Sequence, residues 1–362
     1  MKKPYGFYAG LLFCFTVAGC IASWNRADAA TVISSSSESD RDAFSGPGVA
    51  RTSNAAEETP ANGGVVLTDA GFNLETGRVT LNNGIEMPIL GIGTFSLSPE
   101  QAEESVYHAL LDGYRLIDTA NAYMNERAVG RAIKRSGVPR EEIFVTTKLW
   151  ISEYEDAERA IDETLARLDL DYIDLLLLHQ PYGNYVEGYR GMEQAVREGK
   201  VRAIGLSNFY QDKFEEIMNI ATITPALVQN ETNPYFQQTE MKEYLKQYNT
   251  VLEAWYPLGG RGNTQELFNN PTIAQIAQSH GKSSAQVILR WHLQAGSIAI
   301  PGSSNPDHIQ ENFEIFDFEL SDDEMARIGA LDTGSGKYDY IAPNQEQEER
   351  FLSSAPDFNA QE

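Results

Sequence analysis

Short apolar runs alternate with amphipathic stretches along the chain from Thr80 onward. The runs are rich in β-branched and aromatic residues, which favour strands, whereas the stretches between them repeat apolar residues with helical spacing. The pattern predicts strands at residues 90–94, 115–119, 143–148, 173–179, 203–207, 226–231, 251–255 and 298–301. Between them it predicts helices that include residues 99–111, 156–168, 189–198 and 284–294.

Several of these runs are apolar without interruption, and the clearest is Ile173–Leu178, where Asp174 is the one polar residue. Continuous apolar strands are typical of parallel sheets buried on both faces. About eight βα repeats in roughly 250 residues predict an α/β fold, a (β/α)8 TIM barrel, with an open doubly wound sheet as the alternative. Gly91-Ile92-Gly93 lacks the third glycine of a dinucleotide-binding fingerprint, which disfavours the open sheet. Ahead of the barrel, Asn82-Asn83-Gly84 predicts the turn of a short N-terminal β-hairpin.

The first 78 residues have a different character. Lys2 and Lys3 precede an apolar stretch, residues 7–22, that is short for a membrane span and typical of an export signal. The run that ends in Cys20 resembles a bacterial lipobox, whereas Ala27-Asp28-Ala29 resembles an ordinary cleavage site. We therefore expect a signal peptide or lipoprotein leader at 1–30, a disordered linker at 31–78, the barrel at 79–332 and a C-terminal tail at 333–362.

This organisation predicts an extracytoplasmic protein, attached to a membrane only through a lipid anchor at Cys20. The alternative is a cytoplasmic protein, if the leader does not function.

Charge and cysteine content exclude several classes of function. The chain has 28 Lys and Arg against 52 Asp and Glu, a formal net charge of −24, which repels phosphate backbones and disfavours a nucleic-acid partner. Both cysteines, Cys14 and Cys20, lie in the predicted leader. The body therefore has no disulfide, no thiolate nucleophile and no cysteine zinc site, and we expect no metal.

Polar side chains stand at or just after the ends of three predicted strands. Asp118 ends the second strand, Lys148 the third and His179 the fourth, and Tyr123 follows Asp118 by five residues. The carboxyl ends of barrel strands form the active-site face, so we expect these side chains to meet. A lysine inside an apolar strand needs an anion, and Asp118 is its natural partner. A nearby ammonium lowers the pKa of a phenol, which would make Tyr123 a proton donor near neutral pH.

Taken singly, three of these residues have a structural alternative. Asp118 could cap a helix, Tyr123 could be a packed aromatic residue, and His179 could be a hydrogen-bonded loop histidine. The four together are much more specific than any one of them.

Residues 118–123, 147–150, 177–181 and 205–209 resemble signature segments of the aldo-keto reductase superfamily. The resemblance extends from about Val79 to Leu331 and implies a monomeric TIM barrel that reduces aldehydes or ketones, its small-molecule substrates, to alcohols. In this resemblance Tyr123 is the general acid, Asp118 and Lys148 tune it, and His179 orients the carbonyl. It implies catalytic roles for Asp118, Tyr123, Lys148 and His179 and substrate contacts for Phe95, Trp150 and His179.

The resemblance also implies an extended nicotinamide dinucleotide, NADP(H), as the cofactor. The matching positions are Gly93, Thr94, Ser207, Asn208, Gln229, Trp255, Pro257, Leu258, Ser303, Ser304, Asn305, His308, Glu311 and Asn312. Within this set Ser207, Asn208 and Gln229 would hold the carboxamide, and Trp255 takes the place of the stacking aromatic residue. Gly302 and His308 replace the Lys and Arg that usually grip a 2′-phosphate, so NAD(H) is also accommodated and discrimination between the two should be modest.

Two other functions stay open at this point. One is a nicotinamide-binding barrel without catalysis, and the other is a surface barrel that binds sugars. The complete set of four polar residues favours the enzyme. In the tail, Tyr338, Tyr340 and Phe351 either line a pocket or only dock on the barrel, and docking is the more common behaviour of such residues.

Overall fold

The computed structural model describes residues 67–68, 71–338 and 344–361. The predicted leader with Cys20, the linker up to residue 66, and Tyr340 lie outside the described residues. In the described part of the chain, no helix is both long and apolar enough to cross a membrane.

A small antiparallel sheet precedes the barrel. Its strands, in chain order, are β1 (Leu67–Thr68), β2 (Phe72–Asn73), β3 (Arg78–Thr80) and β4 (Glu86–Pro88). Strands β3 and β4 form the predicted hairpin, and Gly84 in its turn has φ +83°. The folded part begins earlier than the predicted boundary at residue 79, because Phe72 pairs with Val79 and is fully buried. A single aromatic residue within a polar segment gave too weak a pattern to predict this strand.

The barrel consists of parallel strands that neighbour one another in chain order. Within the described residues these strands are β5 (Ile92–Gly93), β6 (Leu116–Asp118), β7 (Phe144–Leu149), β8 (Ile173–Leu178), β9 (Val201–Ser207), β10 (Leu227–Glu231), β11 (Val251–Trp255) and β12 (Ser297–Ala299). The first and last strands are joined, since Gly91 N donates to Ala299 O at 2.9 Å and Ala299 N donates to Ile89 O at 3.0 Å. All eight predicted strands are confirmed, and this closure distinguishes a barrel from an open sheet.

Helices follow the strands and surround them. The α-helices in the described residues are α1 (Pro99–Asp112), α2 (Glu126–Ser136), α3 (Ala157–Leu168), α4 (Tyr185–Arg197), α5 (Gln211–Met218), α6 (Thr239–Lys246), α7 (Thr264–Phe268), α8 (Pro271–His280), α9 (Ser284–Gln294), α10 (Pro306–Phe313), α11 (Asp322–Gly329) and α12 (Gln345–Ser353). Short 3₁₀ helices lie at Asn121–Tyr123, Arg140–Glu142, Ile151–Asp156 and Phe358–Ala360. Helices α1 and α9 begin where predicted, because Ser98 and Ser283 each form a capping box there. Helix α4 begins earlier than residue 189, because Asn184 caps it.

Burial on both faces explains the continuous apolar strands. Every residue of β7 and β8 is buried. The one charge in β8, Asp174, accepts hydrogen bonds from Arg140 and Arg202, each at 2.6 Å, and from Val145 N at 3.0 Å. This network satisfies the buried carboxylate at the start of the strand. The opposite ends of the strands carry the polar residues described next.

Candidate active site

A buried ion pair links two neighbouring strands at the carboxyl end of the barrel. Lys148 on β7 is fully buried, and its Nζ lies 2.6 Å and 2.7 Å from the carboxylate oxygens of Asp118 on β6. The same ammonium donates to Thr119 O at 2.9 Å. Burial raises the pKa of Asp118, while Lys148 and Gln229 act against that rise by stabilising the carboxylate. The pairing predicted from the sequence is present.

Tyr123 lies beside this ion pair. It ends the 3₁₀ helix Asn121–Tyr123, where Met124 takes the left-handed backbone conformation with φ +59°. The centre of its ring is 4.9 Å from Lys148 Nζ. The ring also contacts the rings of Phe95 and His179, at centroid distances of 5.0 Å and 5.6 Å. The structure thus brings the four predicted catalytic side chains together.

Asn125 anchors the loop that carries Tyr123. Its Nδ2 donates to Thr94 O at 3.0 Å and to Leu97 O at 3.2 Å, while its Oδ1 accepts from Thr119 Oγ1 at 2.9 Å. The loops after β5 and β6 are therefore tied together through one fully buried amide. From the sequence, Asn125 has the pattern of an ordinary helix cap, but its side chain makes no capping hydrogen bond.

His179, the residue that follows β8, faces the same point. Its ring contacts Trp150 edge-on at a centroid distance of 5.0 Å. Burial, reinforced by the charge of Lys148, holds the pKa of His179 well below its ordinary value of 6.5. The imidazole is therefore neutral near pH 7 and carries one N–H to donate, and its Nδ1 has no hydrogen-bond partner in the described residues.

Polar side chains from three further strands form a connected array. Asn208, which follows β9 with φ +64°, donates from Nδ2 to His179 O at 3.1 Å and to Ser207 Oγ at 3.2 Å. Its Oδ1 accepts from Trp255 Nε1 at 3.0 Å. Gln229 on β10 donates from Nε2 to Asp118 Oδ2 at 2.8 Å. These hydrogen bonds fix the orientation of the two amides and of the indole ring.

These residues line a cleft of about 1420 Å³. The predicted residues that line it are Gly93, Phe95, Asp118, Tyr123, Trp150, His179, Ser207, Asn208, Gln229, Trp255, Pro257, Leu258, Ser303, Ser304, His308, Glu311 and Asn312. Lys148 lies buried beneath the lining. Thr94 and Asn305 do not line the cleft, and their predicted contacts with a cofactor stay predictions. Thr94 Oγ1 donates to Asp118 O at 3.1 Å, and Asn305 Oδ1 caps α10 by accepting from Asp307 N at 3.0 Å.

Comparison with known proteins identifies the family. The profile of the Aldo/keto reductase family matches residues 89–333. The chain belongs to this family. Morphine 6-dehydrogenase of Pseudomonas putida is 44% identical to this aldo-keto reductase over 270 residues, covering 71% of this chain and 91% of the relative. Glyoxal reductase of Bacillus subtilis (strain 168) is 44% identical over 273 residues, covering 74% and 96%.

Solved structures of the family share the fold. An aldo-keto reductase from a Medee basin deep-sea metagenome library has a TM-score of 0.72 at 42% identity, covering 74% of this chain and 99% of that one. The protein is therefore an NAD(P)H-dependent oxidoreductase that reduces carbonyl groups, as the sequence motifs indicate.

The cleft of this aldo-keto reductase has features that fit a nicotinamide dinucleotide. Amide and hydroxyl groups of Ser207, Asn208 and Gln229 converge on one side, beside the half-buried indole of Trp255. On another side, Ser303 and Ser304 precede the N-terminus of α10, where backbone amides and the helix dipole favour an anion.

Two glycines make one edge of the cleft tight. A Cβ at Gly302 would lie 2.9 Å from Gly93 O, and a Cβ at Gly93 would lie 2.8 Å from Ile300 O. The chain after β12 therefore packs directly against the end of β5. A lysine at position 302, the residue expected from the family pattern, cannot be placed without moving this backbone.

The tail contributes lining residues, which the sequence analysis left open as the less common of two alternatives. Tyr338 contacts the ring of Tyr256 at 5.4 Å, and its backbone N donates to Glu231 Oε2 at 3.0 Å. Phe351 on α12 contacts the ring of Trp150 at 5.2 Å. Tyr338 and Phe351 thus line the cleft, rather than only docking on the barrel. Their aromatic character was a signal, but their placement depends on contacts far apart in the chain.

Proposed function

We propose that Tyr123 is the general acid of the carbonyl reduction. The observation that carries this proposal is the position of Lys148 Nζ, 4.9 Å from the centre of the Tyr123 ring and paired with Asp118. A buried positive charge next to a phenol stabilises the phenolate and makes the phenol a better proton donor. Asp118 and Lys148 lie on adjacent strands, and Tyr123 lies in the loop that follows the first of them, so the fold itself brings the three groups together.

In this proposal the neutral imidazole of His179 donates its N–H to the substrate carbonyl oxygen and orients it. Tyr123 then gives its proton to the same oxygen, and Lys148 stabilises the phenolate that remains. A bound nicotinamide supplies the hydride for the carbonyl carbon. Tyr123 is only partly buried, so solvent can return the proton to it.

We propose further that Ser207, Asn208 and Gln229 hold the nicotinamide carboxamide and that the face of Trp255 covers the ring. Ser303, Ser304 and the N-terminus of α10 would receive the adenosine-side phosphate. Position 302 is a glycine and His308 is exposed, so there is little fixed positive charge to bind a 2′-phosphate. Both NADPH and NADH should therefore serve as cofactors.

For the substrate, we propose a flat, apolar aldehyde or ketone. The rings of Phe95, Trp150 and Phe351 border the cleft near His179 and Tyr123. Aromatic walls of this kind bind apolar surface and stack on planar groups.

The test is the variant Tyr123→Phe. We expect kcat to fall by about a hundred- to ten-thousand-fold on a panel of aldehydes, because proton donation is lost. The Kd for NADPH should stay unchanged. The matched control is Tyr107→Phe on α1, which removes a phenolic hydroxyl away from the cleft and should retain full activity.

Two outcomes would contradict this role. If Tyr123→Phe keeps wild-type kcat, Tyr123 is not the acid. If wild type and variant bind cofactor but reduce the panel equally poorly, the barrel is a binding module.

We also propose that the leader directs export, with lipidation at Cys20. The support comes from Lys2, Lys3 and the apolar stretch that follows them. Mass spectrometry of the mature protein after cell fractionation tests this. A lipid-modified N-terminal Cys20 in the membrane fraction is expected, and an intact Met1 in the cytosol would refute it.

A further inference from the structure

A second buried carboxyl group lies inside the barrel, and the proposed chemistry does not use it. Glu253 on β11 is fully buried. Its Oε1 accepts a hydrogen bond from Gln229 Nε2, the same atom that donates to Asp118 Oδ2. Its Oε2 has no hydrogen-bond partner in the described part of the chain.

The charges inside the barrel do not balance if both carboxyl groups are ionised. The hydrogen bonds of Lys148 Nζ go to the two oxygens of Asp118 and to Thr119 O, so none goes to Glu253. A buried carboxylate without a paired cation is costly, and holding a proton removes that cost. Burial, together with the negative charge of Asp118, raises the pKa of Glu253 to about 8. Asp118 therefore carries the charge and Glu253 carries the proton near pH 7.

Few charged groups face Glu253. Across the barrel these are Asp118 on β6 and Lys148 on β7. Of the neighbouring strands, β12 has no titratable residue, and β10 carries Glu231, which accepts from the backbone amides of Lys337 and Tyr338. On α6, Glu240, Glu243 and Lys246 are exposed. Lys242 of the same helix is partly buried and donates to Ala295 O at 3.3 Å, and burial lowers its pKa to about 8.

We propose that Glu253 is a positioning residue that acts, as a neutral acid, by fixing the side-chain amide of Gln229. Asp118 and Glu253 together take both hydrogens of Gln229 Nε2. The amide oxygen is then the part of Gln229 left for a ligand, and it suits an N–H donor such as the nicotinamide carboxamide. This inference rests on the proposed cofactor site.

The carboxyl group of Glu253 matters because the side-chain amide of Gln229 can rotate if only Asp118 holds it. Without Glu253, one Nε2 hydrogen loses its acceptor, and the amide can present either end to the cleft. With Glu253 ionised, two carboxylates share one nitrogen and repel each other, which loosens the same contact. Both changes should weaken cofactor binding, the second only at alkaline pH.

The experiment measures the Kd of NADPH and NADH by quenching of tryptophan fluorescence, from about pH 6.5 to 9.5. The wild-type Kd should rise severalfold above about pH 8. Glu253→Gln, a neutral isostere, should bind as wild type at pH 7 and lose this alkaline rise. Glu253→Leu should bind about fivefold more weakly at every pH, the effect of one lost hydrogen bond.

A double-mutant cycle separates positioning from general damage. In a Gln229→Ala background, Glu253→Leu should cause no further loss, because Glu253 acts through Gln229. Thermal unfolding at pH 7 checks that each variant folds. If Glu253→Leu does not fold, the pH dependence of Glu253→Gln still tests the inference.

An alkaline rise that persists in Glu253→Gln would overturn the inference, as would wild-type affinity in Glu253→Leu. If the wild-type protein binds no nicotinamide cofactor at all, the proposed function fails instead.

Discussion

The indole Nε1 of Trp150 donates a hydrogen bond to the backbone carbonyl of Phe351 at 3.2 Å, across 201 positions of sequence. The Phe351 ring also packs edge-on against Trp150 and Tyr182, at centroid distances of 5.2 Å and 5.5 Å. The tail thereby completes the aromatic border of the cleft near His179.

Phe351→Ala should raise KM for an aromatic aldehyde by about tenfold, with a smaller effect on kcat. The aromatic contacts and the buried ring surface are lost, whereas Tyr123 and Lys148 are untouched. The neighbouring Leu352 is 47% exposed, so Leu352→Ala is the matched control. Equal KM values for both variants would show that the tail does not contact the substrate.

Asp118→Asn should destabilise the protein by about 3–5 kcal/mol, because it leaves the buried ammonium of Lys148 without its counter-charge. It should also lower kcat by at least about a hundredfold, since the environment of Tyr123 changes. Urea denaturation and steady-state kinetics measure the two effects.

The control for that variant is Asp169→Asn, which removes the partner of Lys134 in a pair whose side chains are 82% and 78% exposed. An exposed pair contributes little, so this change should cost less than about 1 kcal/mol. If both variants lose a comparable free energy of unfolding, the buried pair of Asp118 and Lys148 is no more important for stability than an exposed one.

Glu253 should make stability depend on pH in a defined direction. Its pKa rises from 4.5 to about 8 on folding, so the folded state holds a proton that the unfolded state loses between these values. The contribution of Glu253 to the free energy of unfolding is therefore full below about pH 4.5. It is lost as pH rises towards 8, at most by about 1.4 kcal/mol per pH unit.

Urea denaturation at about pH 5 and pH 8 checks this expectation. Wild type should lose stability from pH 5 to pH 8 through Glu253, whereas glutamine has no proton to lose. The stability of Glu253→Gln relative to wild type should therefore increase from pH 5 to pH 8. Parallel pH curves for the two proteins would mean that Glu253 does not titrate in this range.

His308→Arg should tighten NADPH binding by about tenfold and leave NADH binding unchanged. His308 is exposed on α10 and lines the cleft, so a guanidinium there can reach a 2′-phosphate without repacking the core. Cofactor titrations give both values, and NADH serves as the control because it lacks that phosphate. Equal tightening for both cofactors would place the new charge at another phosphate.

The order of strands and helices could be predicted from the sequence. Strands buried on both faces need continuous apolar runs, and helices packed on one side need a repeating apolar stripe, so the local pattern reports both directly. The same logic identified Asp118, Lys148 and His179, because a charged or polar residue that ends an apolar run is conspicuous. Tyr123, in the loop after Asp118, was linked to them through the chemistry that a nearby lysine permits.

Contacts between distant segments were decided only by the tertiary structure. Thr94 is fully buried and contacts Asn125 in the loop after β6, which its place at the end of an apolar run did not indicate. Glu253 had the pattern of an ordinary strand residue, and its meaning depends on Gln229 and Asp118, which other strands bring to it. The roles of Phe351 and Tyr338 likewise depend on where the tail crosses the barrel.

The sequence by itself determined which segments form strands and helices, and it marked the candidate catalytic groups, because burial and periodicity are local properties of a chain. Barrel closure, the buried pairing of carboxyl groups and the docking of the tail were decided only by tertiary structure. These features depend on distances between residues far apart in sequence, and one chain's local pattern does not encode such distances.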